Sequence, residues 1–279
     1  MAAGKYGLAG VMGWPVGHSR SPLLHNYWIK QYGLSGAYVL LPVAPGRLAD
    51  AVRGLSALGF AGCNVTVPHK VDAMALVDSV APTARVIGAI NTVVVQPDGS
   101  LHGVNNDGFG YVASLLEAHP GWRADAGPVT VLGAGGAARA VLVALAQRGA
   151  REIRLLNRGF DKAQALAREI GAPVTAMPWE ARHDALADVA MLVNTTSLGM
   201  QGSAALDLDL GALPRQALVS DVVYVPLETP LLARARARGN PTVNGLGMLM
   251  NQARPAFEAW FGVLPEITPE LRRVMEASI

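Results

Sequence analysis

The chain has 279 residues, of which 51% are hydrophobic and 16% charged, with 31 glycines and a formal net charge of +2 at pH 7. That length suffices for two domains with a core each, and the composition is typical of a well-packed α/β protein. Because no apolar run reaches the roughly 18 residues of a membrane helix and the basic residues are dispersed, we expect neither a membrane nor a nucleic acid as a partner.

The cysteine and histidine content argues against disulfide and metal chemistry. Cys63 is the single cysteine, so an internal disulfide and a cysteine-based metal cluster are excluded. The six histidines form no close metal-binding pair, and no metal is expected. Residues 1–6 carry one cation and no apolar signal core, which favours a cytoplasmic location. A monomer and a homodimer both remain open.

The first hundred residues alternate short strands with helices, which indicates an α/β module. Ser21 is placed to cap a helix, with Pro22 at the first helical position. Apolar spacing predicts a second helix over 48–58, and a Pro-Asp-Gly turn at 97–99 predicts a hairpin. The predicted strands are 6–12, 39–43, 62–68, 90–95 and 100–104.

Strand and helix alternate again after a boundary rich in proline and glycine at 120–128. A helix over 107–119 leads into this boundary, and residues 246–261 form one long apolar helix near the end of the chain. Regular alternation with connections of this length favours a parallel sheet with right-handed crossovers. The predicted strands are 129–132, 153–156, 189–194 and 218–223, with helices over the apolar run 140–146 and over 160–170.

A glycine-rich turn follows the strand at 129–132. Gly133, Gly135 and Ala138 fill the three small-residue positions of a dinucleotide-binding fingerprint. The first allows a tight turn, the second lets the backbone approach a pyrophosphate, and the third lets the helix pack on the strand. Backbone N–H groups at the helix start would face the anion. The cofactor-binding residues predicted here are Gly133, Ala134, Gly135, Gly136 and Ala137.

The next strand, 153–156, ends without the acidic residue that usually binds the adenine ribose hydroxyls. Arg158 stands there instead, and its planar donor fork suits a 2′-phosphate that a carboxylate would repel. Lys162 adds a second cation about one helical turn further on, and Asn157 precedes the arginine. NADP is therefore favoured over NAD, with an ordinary exposed loop arginine as the alternative.

Polar residues gather at the predicted strand ends of the first module. Asn64 and Thr66 lie two apart on one predicted strand, so both side chains point to the same face, and Lys70 follows closely. Converging polar groups in an apolar chain suit a small polyhydroxylated ligand. Taken singly, these residues have simpler explanations as helix caps, turn residues or a surface ion pair. The other members are Ser19, Ser21, Asn91 and residues 105–108.

The motifs in this order resemble the shikimate dehydrogenase family over nearly the whole chain. The Asn-Val-Thr-Val-Pro-x-Lys motif is specific, whereas the glycine fingerprint is shared by many dehydrogenases. The residues that carry the resemblance are the nucleotide turn together with 17–22, 64–70, 88–92, 105–108 and 245–248.

The resemblance implies NADP-linked, reversible reduction of 3-dehydroshikimate to shikimate in aromatic amino-acid biosynthesis. Lys70 and Asp107 would be the catalytic pair, both also in contact with substrate. Ser19 and Ser21 would bind the substrate carboxylate together with Tyr224. Ring hydroxyls would be contacted by Thr66, Asn91 and Gln252, with Asn64 nearby. The nicotinamide side would be lined by Thr195, Thr196, Val222, Gly245 and Met248.

The implied architecture is an α/β protein of two domains with a cleft between them. Residues 1–107 plus 245–279 would form the substrate-binding domain, because the late helix is expected to return to the first module. Residues 108–244 would form a Rossmann-like NADP-binding domain.

The lysine–aspartate pair suits the implied reaction. Hydride transfer to a carbonyl creates an alkoxide, which needs a proton and positive electrostatic support. Lys70 can supply both, and Asp107 would orient its ammonium group and a substrate hydroxyl. Two positions depart from the family: Asn106 stands where Thr is usual, and Gly159 where Thr or Ser is common. These changes bear on efficiency and on cofactor preference.

Other functions remain open at this point. A quinate/shikimate or aminoshikimate dehydrogenase would share most of these residues. A catalytically silent NADP-sensing protein would need neither Lys70 nor Asp107. A methylenetetrahydrofolate dehydrogenase would have a similar architecture but should lack the Ser-x-Ser and hydroxyl-binding set.

Overall fold

The computed structural model describes residues 6–279, and contacts divide this part of the chain into two compact units. The first unit comprises the residues up to Asp107 together with Leu249–Ser278, and the second comprises Gly108–Met248. Residues 245–248, expected in the first domain, thus group with the second unit. The reason is close packing, since a Cβ on Gly245 would lie 2.0 Å from the Val222 carbonyl oxygen. No described helix is long and apolar enough to cross a membrane.

Helices and short strands alternate along both units. The strands are β1 Gly7–Gly13, β2 Gly36–Pro42, β3 Phe60–Val65, β4 Ser79–Val80, β5 Thr92–Val95, β6 Leu101–Val104, β7 Val129–Leu132, β8 Ile153–Leu156, β9 Val174–Met177, β10 Met191–Asn194, β11 Leu218–Asp221 and β12 Thr242–Val243. The helices are α1 Ser21–Gln31, α2 Leu48–Ala57, α3 Pro82–Ile87, α4 Asp107–Ala118, α5 Gly136–Gln147, α6 Phe160–Ile170, α7 Pro230–Ala237, α8 Leu246–Phe261 and α9 Pro269–Ala277.

The first unit contains a mixed six-stranded sheet in the order β2-β1-β3-β5-β6-β4. Strands β2, β1 and β3 are parallel, and β5 runs antiparallel to both β3 and β6. The hairpin predicted around residues 97–99 is confirmed as β5 and β6. The strand predicted over 62–68 ends earlier, at Val65, so Thr66 lies just beyond it, although its backbone N–H still donates to the Met12 carbonyl oxygen of β1 (2.8 Å).

Helix α8 contributes its aromatic residues to the core of the first unit. Phe257 and Trp260 pack with His25, Trp28 and Tyr38, and the His25 ring stacks on Tyr38 at 4.1 Å between centroids. The indole N–H of Trp260 donates to the backbone carbonyl of Val93 in β5 (3.0 Å). These contacts explain why the late helix returns to the first unit.

The second unit contains a fully parallel six-stranded sheet in the order β12-β11-β10-β7-β8-β9. Consecutive side chains of β7 alternate between two apolar cores, with Val131 in one and Leu132 in the other. The predicted parallel α/β fold is confirmed, and the strand order reverses beside β7. Ligands bind at the carboxyl ends of strands next to such a reversal, which is where the glycine-rich turn begins.

Candidate active site

Lys70 and Asp107 form a largely buried ion pair in the first unit. Lys70 Nζ lies 2.5 Å from Asp107 Oδ2, and the two side chains are 15% and 5% exposed. Asp107 begins helix α4, and its backbone N–H donates to Asn105 Oδ1 (3.0 Å). The positive end of the helix dipole favours a carboxylate at this position. The structure therefore brings the two predicted catalytic residues into direct contact.

The side chain of Asn91 is hydrogen-bonded to the carboxylate of this pair. Its Nδ2 donates to Asp107 Oδ1 (2.9 Å) and to Gln252 Oε1 (3.0 Å). Its Oδ1 accepts from the hydroxyl of Thr92 (2.9 Å) and from the backbone N–H of Asn106 (2.9 Å). Both amide hydrogens and both acceptor positions are thus engaged within the protein.

The side-chain amide of Asn64 is likewise hydrogen-bonded within the protein, and it contacts Asn91 in turn. Its Nδ2 donates to the Asn91 carbonyl oxygen (3.1 Å) and to Thr92 Oγ1 (3.2 Å), and its Oδ1 accepts from the Tyr38 hydroxyl (2.7 Å). Thr92 Oγ1 also accepts from Asn106 Nδ2 (3.2 Å). The amide at position 106, where the family usually has Thr, is therefore used in this buried network. Asn64 supports Asn91 and has no amide hydrogen left for a ligand.

Other predicted substrate residues retain hydrogen-bonding capacity. The Lys70 ammonium uses one of its three hydrogens on Asp107, and Gln252 Nε2 uses one of two on the Leu249 carbonyl (3.0 Å). The hydroxyls of Ser21 and Thr66 have no hydrogen-bond partner within residues 6–279. Free donors of this kind suit a polar ligand.

The role expected for Ser21 as a helix cap was wrong. Ser21 is already the first residue of α1, the N-cap is Arg20, and no side chain caps this helix. Ser19 Oγ instead accepts the backbone N–H of Ser21 (3.3 Å). Ser21 is buried, and its hydroxyl is available as a donor to a ligand.

The glycine-rich turn of the second unit has the geometry that a dinucleotide requires. Gly133 has φ = +104°, and a Cβ there would lie 2.8 Å from Thr195 Oγ1. A Cβ on Gly135 would meet no atom within 4 Å, so the backbone at the start of α5 is open to a ligand. Ala134 is buried, and Ala138 is fully buried against the sheet, as the fingerprint predicts. Gly136 and Ala137 form the first turn of α5.

Cationic side chains follow β8 at the edge of this turn. Arg158 and Lys162 are exposed, and neither makes an ion pair with any described residue. Asn157 Nδ2 donates to the Gly159 carbonyl oxygen (2.9 Å), which shapes the loop that leads into α6. Gly159 is the N-cap of α6 and supplies no side-chain cap. Unpaired cations beside a nucleotide turn suit a 2′-phosphate.

The residues predicted on the nicotinamide side all lie in the second unit, in segments that follow β10, β11 and β12. Thr195 Oγ1 donates to the Leu132 carbonyl oxygen (2.6 Å), which places this residue beside the glycine turn. Val222 follows β11 and packs against Gly245. The remaining members of the set are Thr196 and Met248, of which Met248 belongs to the apolar core. Tyr224, predicted to bind the substrate carboxylate, also follows β11 in the second unit.

Asp221, the last residue of β11, was missed by the sequence analysis. It is 1% exposed, and its carboxylate accepts hydrogen bonds from Asn194 Nδ2 (3.0 Å), the Val223 backbone N–H (3.1 Å) and the Thr229 hydroxyl (2.7 Å). The available signal was an Asn at the end of one predicted parallel strand and an Asp near the end of the next. Burial raises the pKa of this carboxyl from the usual 3.8 to about 6.

A parallel dinucleotide-type sheet in one unit and a buried lysine–carboxylate pair in the other define the class of dinucleotide-dependent oxidoreductases. Comparison with known proteins makes the assignment more specific. Residues 11–93 match the family model described as "Shikimate dehydrogenase substrate binding domain", and residues 120–200 match "Shikimate / quinate 5-dehydrogenase". A shikimate dehydrogenase (NADP(+)) of Paramagnetospirillum magneticum is 56% identical over 97% of this chain and 98% of its own length.

Solved structures agree with this assignment. Shikimate 5-dehydrogenase of Thermus thermophilus, in complex with NADP(H) and shikimate, is 35% identical with a TM-score of 0.86, over 98% of this chain and 100% of that one. Quinate dehydrogenase of Corynebacterium glutamicum in complex with NAD is 30% identical with a TM-score of 0.88, over 98% and 99%. The chain belongs to the shikimate dehydrogenase family, so the resemblance seen in the motifs is confirmed.

The raised pKa of Asp221 predicts a specific pH dependence of stability. Because the pKa of Asp221 is higher in the folded than in the unfolded protein, its protonated form stabilises the fold. This stabilisation is fully present below about pH 4 and is lost as the pH rises through about 6. Between pH 7.5 and pH 5, wild type should gain about 1.4 kcal/mol of unfolding free energy relative to Asp221→Asn. Urea unfolding at both pH values measures the difference. An equal change in both proteins would contradict it.

Proposed function

We propose that this protein catalyses the reversible, NADP-linked reduction of 3-dehydroshikimate to shikimate. The observation that carries the proposal is the buried Lys70–Asp107 contact, held by Asn91, in a chain of the shikimate dehydrogenase family. Its small-molecule partners are then the substrate and NADP(H). The oligomeric state, a monomer or a homodimer, and the cytoplasmic location remain predictions from the sequence.

Lys70 is the general acid of the reduction. NADPH, held by the second unit, would supply the hydride for the substrate carbonyl carbon, and negative charge would then develop on the carbonyl oxygen. The Lys70 ammonium, with two hydrogens not used by Asp107, stabilises that charge and delivers the proton. In the reverse direction neutral Lys70 accepts the proton from the hydroxyl. Asp107 orients the ammonium and, through its remaining lone pairs, a neighbouring ring hydroxyl.

The residues with spare hydrogen-bonding capacity bind the substrate. Ser19 and Ser21 bind the carboxylate, to which the family resemblance also assigns Tyr224. Thr66 and Gln252 contact ring hydroxyls. A ring hydroxyl replaces the Asn91–Gln252 hydrogen bond, which frees one Asn91 hydrogen for the substrate.

The second unit binds NADP. Gly133 to Ala137 accommodate the pyrophosphate, because the open position at Gly135 and the free N–H groups of the first turn of α5 fit an anion. Arg158 and Lys162, beside Asn157, bind the 2′-phosphate. Thr195, Thr196, Val222, Gly245 and Met248 line the nicotinamide side.

Quinate oxidation is the second candidate, because the likeness to quinate dehydrogenase reaches a TM-score of 0.88. A silent NADP sensor is disfavoured by the ion pair. Burying a lysine and an aspartate is costly, and a protein that only binds nucleotide has no use for the pair.

Assays of the purified protein separate these functions. With shikimate and NADP we expect NADPH formation, measured by its absorbance. The kcat/KM should be at least about tenfold above that with NAD, which lacks the 2′-phosphate, or with quinate, whose ring substituents differ from those the site is proposed to bind. Preference for quinate would favour the second candidate. Absence of reduced cofactor with all four pairings would contradict the proposal and favour a sensor.

Arg158→Gln tests the assignment of the 2′-phosphate site. Loss of the charged donor fork should raise the KM for NADP by about tenfold or more while leaving the KM for NAD within about twofold. Arg148→Gln is the matched control, since Arg148 is also exposed but lies at the far end of α5. Equal effects of Arg158→Gln on NADP and NAD would contradict the assignment.

A further inference from the structure

The carboxyl ends of β10 and β11 are joined by two buried polar side chains. Asn194 and Asp221 are the last residues of these strands and are direct neighbours in the parallel register. Thr195 and Thr196 follow the first strand at once, and Val222 follows the second. Any restraint on this pair therefore acts on both segments that are assigned to the nicotinamide side.

Asp221 connects three segments through one carboxylate. Oδ1 accepts from Asn194 Nδ2 and from the backbone N–H of Val223, and Oδ2 accepts from the hydroxyl of Thr229. Thr229 in turn caps helix α7, because its Oγ1 accepts the backbone N–H of Leu232 (3.3 Å). The loop after β11 is thus fixed at both ends by the same side chain.

Asn194 extends the restraint to the loop after β10. Its Oδ1 accepts from the backbone N–H (3.1 Å) and the hydroxyl (2.7 Å) of Thr196, and its Nδ2 donates to the Leu198 carbonyl oxygen (3.1 Å). The conformation of residues 195–198 therefore depends on the orientation of the Asn194 amide. Asp221 fixes that orientation, because only the Nδ2 side of the amide can donate to a carboxylate.

Stability alone does not account for an aspartate here. The side chain is buried, no described cation pairs with it, and burial raises its pKa to about 6. A buried charge without a counter-charge is costly to folding. Three donors on separate segments do match an acceptor-only group, which no neutral side chain of this size provides.

We propose that Asp221 is a positioning residue for the nicotinamide half of the cofactor site, holding the loops after β10 and β11 in their binding geometry through Asn194, Val223 and Thr229. This inference rests on the proposed NADP-dependent function. Asp221 itself contacts neither cofactor nor substrate in this assignment; it acts through the loops.

Asp221→Ala, which removes all three contacts, is compared with Asn240→Ala. Asn240 is likewise buried (4% exposed), and its amide donates to the carbonyl oxygens of Pro214, Arg215 and Ala217. It lies at the amino-terminal end of β11, opposite Asp221, so its loss should lower stability without disturbing the cofactor loops.

The readouts are the NADP dissociation constant from fluorescence titration, kcat, the KM for shikimate at saturating NADP, and the urea midpoint. Asp221→Ala should raise the NADP dissociation constant by about tenfold or more and lower kcat. Its KM for shikimate should rise by a smaller factor than the NADP dissociation constant, because the proposed hydroxyl-binding residues belong to the other unit and only Tyr224 of the proposed substrate residues lies in the affected loop. Asn240→Ala should keep the wild-type dissociation constant and kcat even though its urea midpoint falls.

Thr229 provides an independent pair of variants in case Asp221→Ala does not fold. Thr229→Val removes the hydrogen bond to Asp221 and should weaken NADP binding, whereas Thr229→Ser retains the hydroxyl and should restore it. Wild-type binding and kcat in Thr229→Val, or an equal loss in Asn240→Ala, would overturn the inference. If unsubstituted protein fails to bind NADP, the proposed function and this inference fall together, whereas normal wild-type binding with unaffected variants contradicts only the inference.

Discussion

A buried ion pair constrains the first unit, because two charges taken out of water must find compensating partners or the fold is destabilised. Asp107 satisfies this condition with Lys70 on one oxygen and Asn91 on the other. Asn91 is held in turn by two neighbours, because the Thr92 hydroxyl in β5 donates to its side-chain oxygen and the Asn64 amide in β3 donates to its backbone carbonyl. The residues that carry the proposed chemistry are thus fixed by a layered amide network that reaches back to the Tyr38 hydroxyl.

In each unit a buried carboxylate accepts hydrogen bonds from donors on several chain segments. In the first unit Asp107 has a cation beside it, and the pair leaves ammonium hydrogens free for an oxyanion. In the second unit Asp221 has neutral donors only, so burial raises its pKa to about 6 and the group orders loops. In the proposed roles, the same residue type serves acid–base chemistry beside a counter-charge and positioning where no counter-charge is present.

Patterns of local origin were predictable from the sequence, and contacts between distant segments were not. The long apolar helix at 246–261 coincides with α8, and the hairpin with β5 and β6. Strands β4 and β12 have two residues each, which is too few for a periodicity to show. The saturation of Asn64 depends on Tyr38, which lies 26 residues away, and the burial of Asp221 depends on Thr229 and α7. A strand-end aspartate looks the same in a sequence whether it is solvated or buried.

The central claim is that Lys70 and Asp107 act as one acid–base unit, and a double-mutant cycle on kcat tests it most directly. Lys70→Ala should lower kcat by about 10²- to 10⁴-fold while shikimate still binds, since a positioned general acid contributes a factor of that size. Asp107→Asn should also be slow, and the double variant should be little slower than Lys70→Ala alone, because residues that act together are not additive. Near-normal turnover in Lys70→Ala, or losses that multiply in the double variant, would contradict the account.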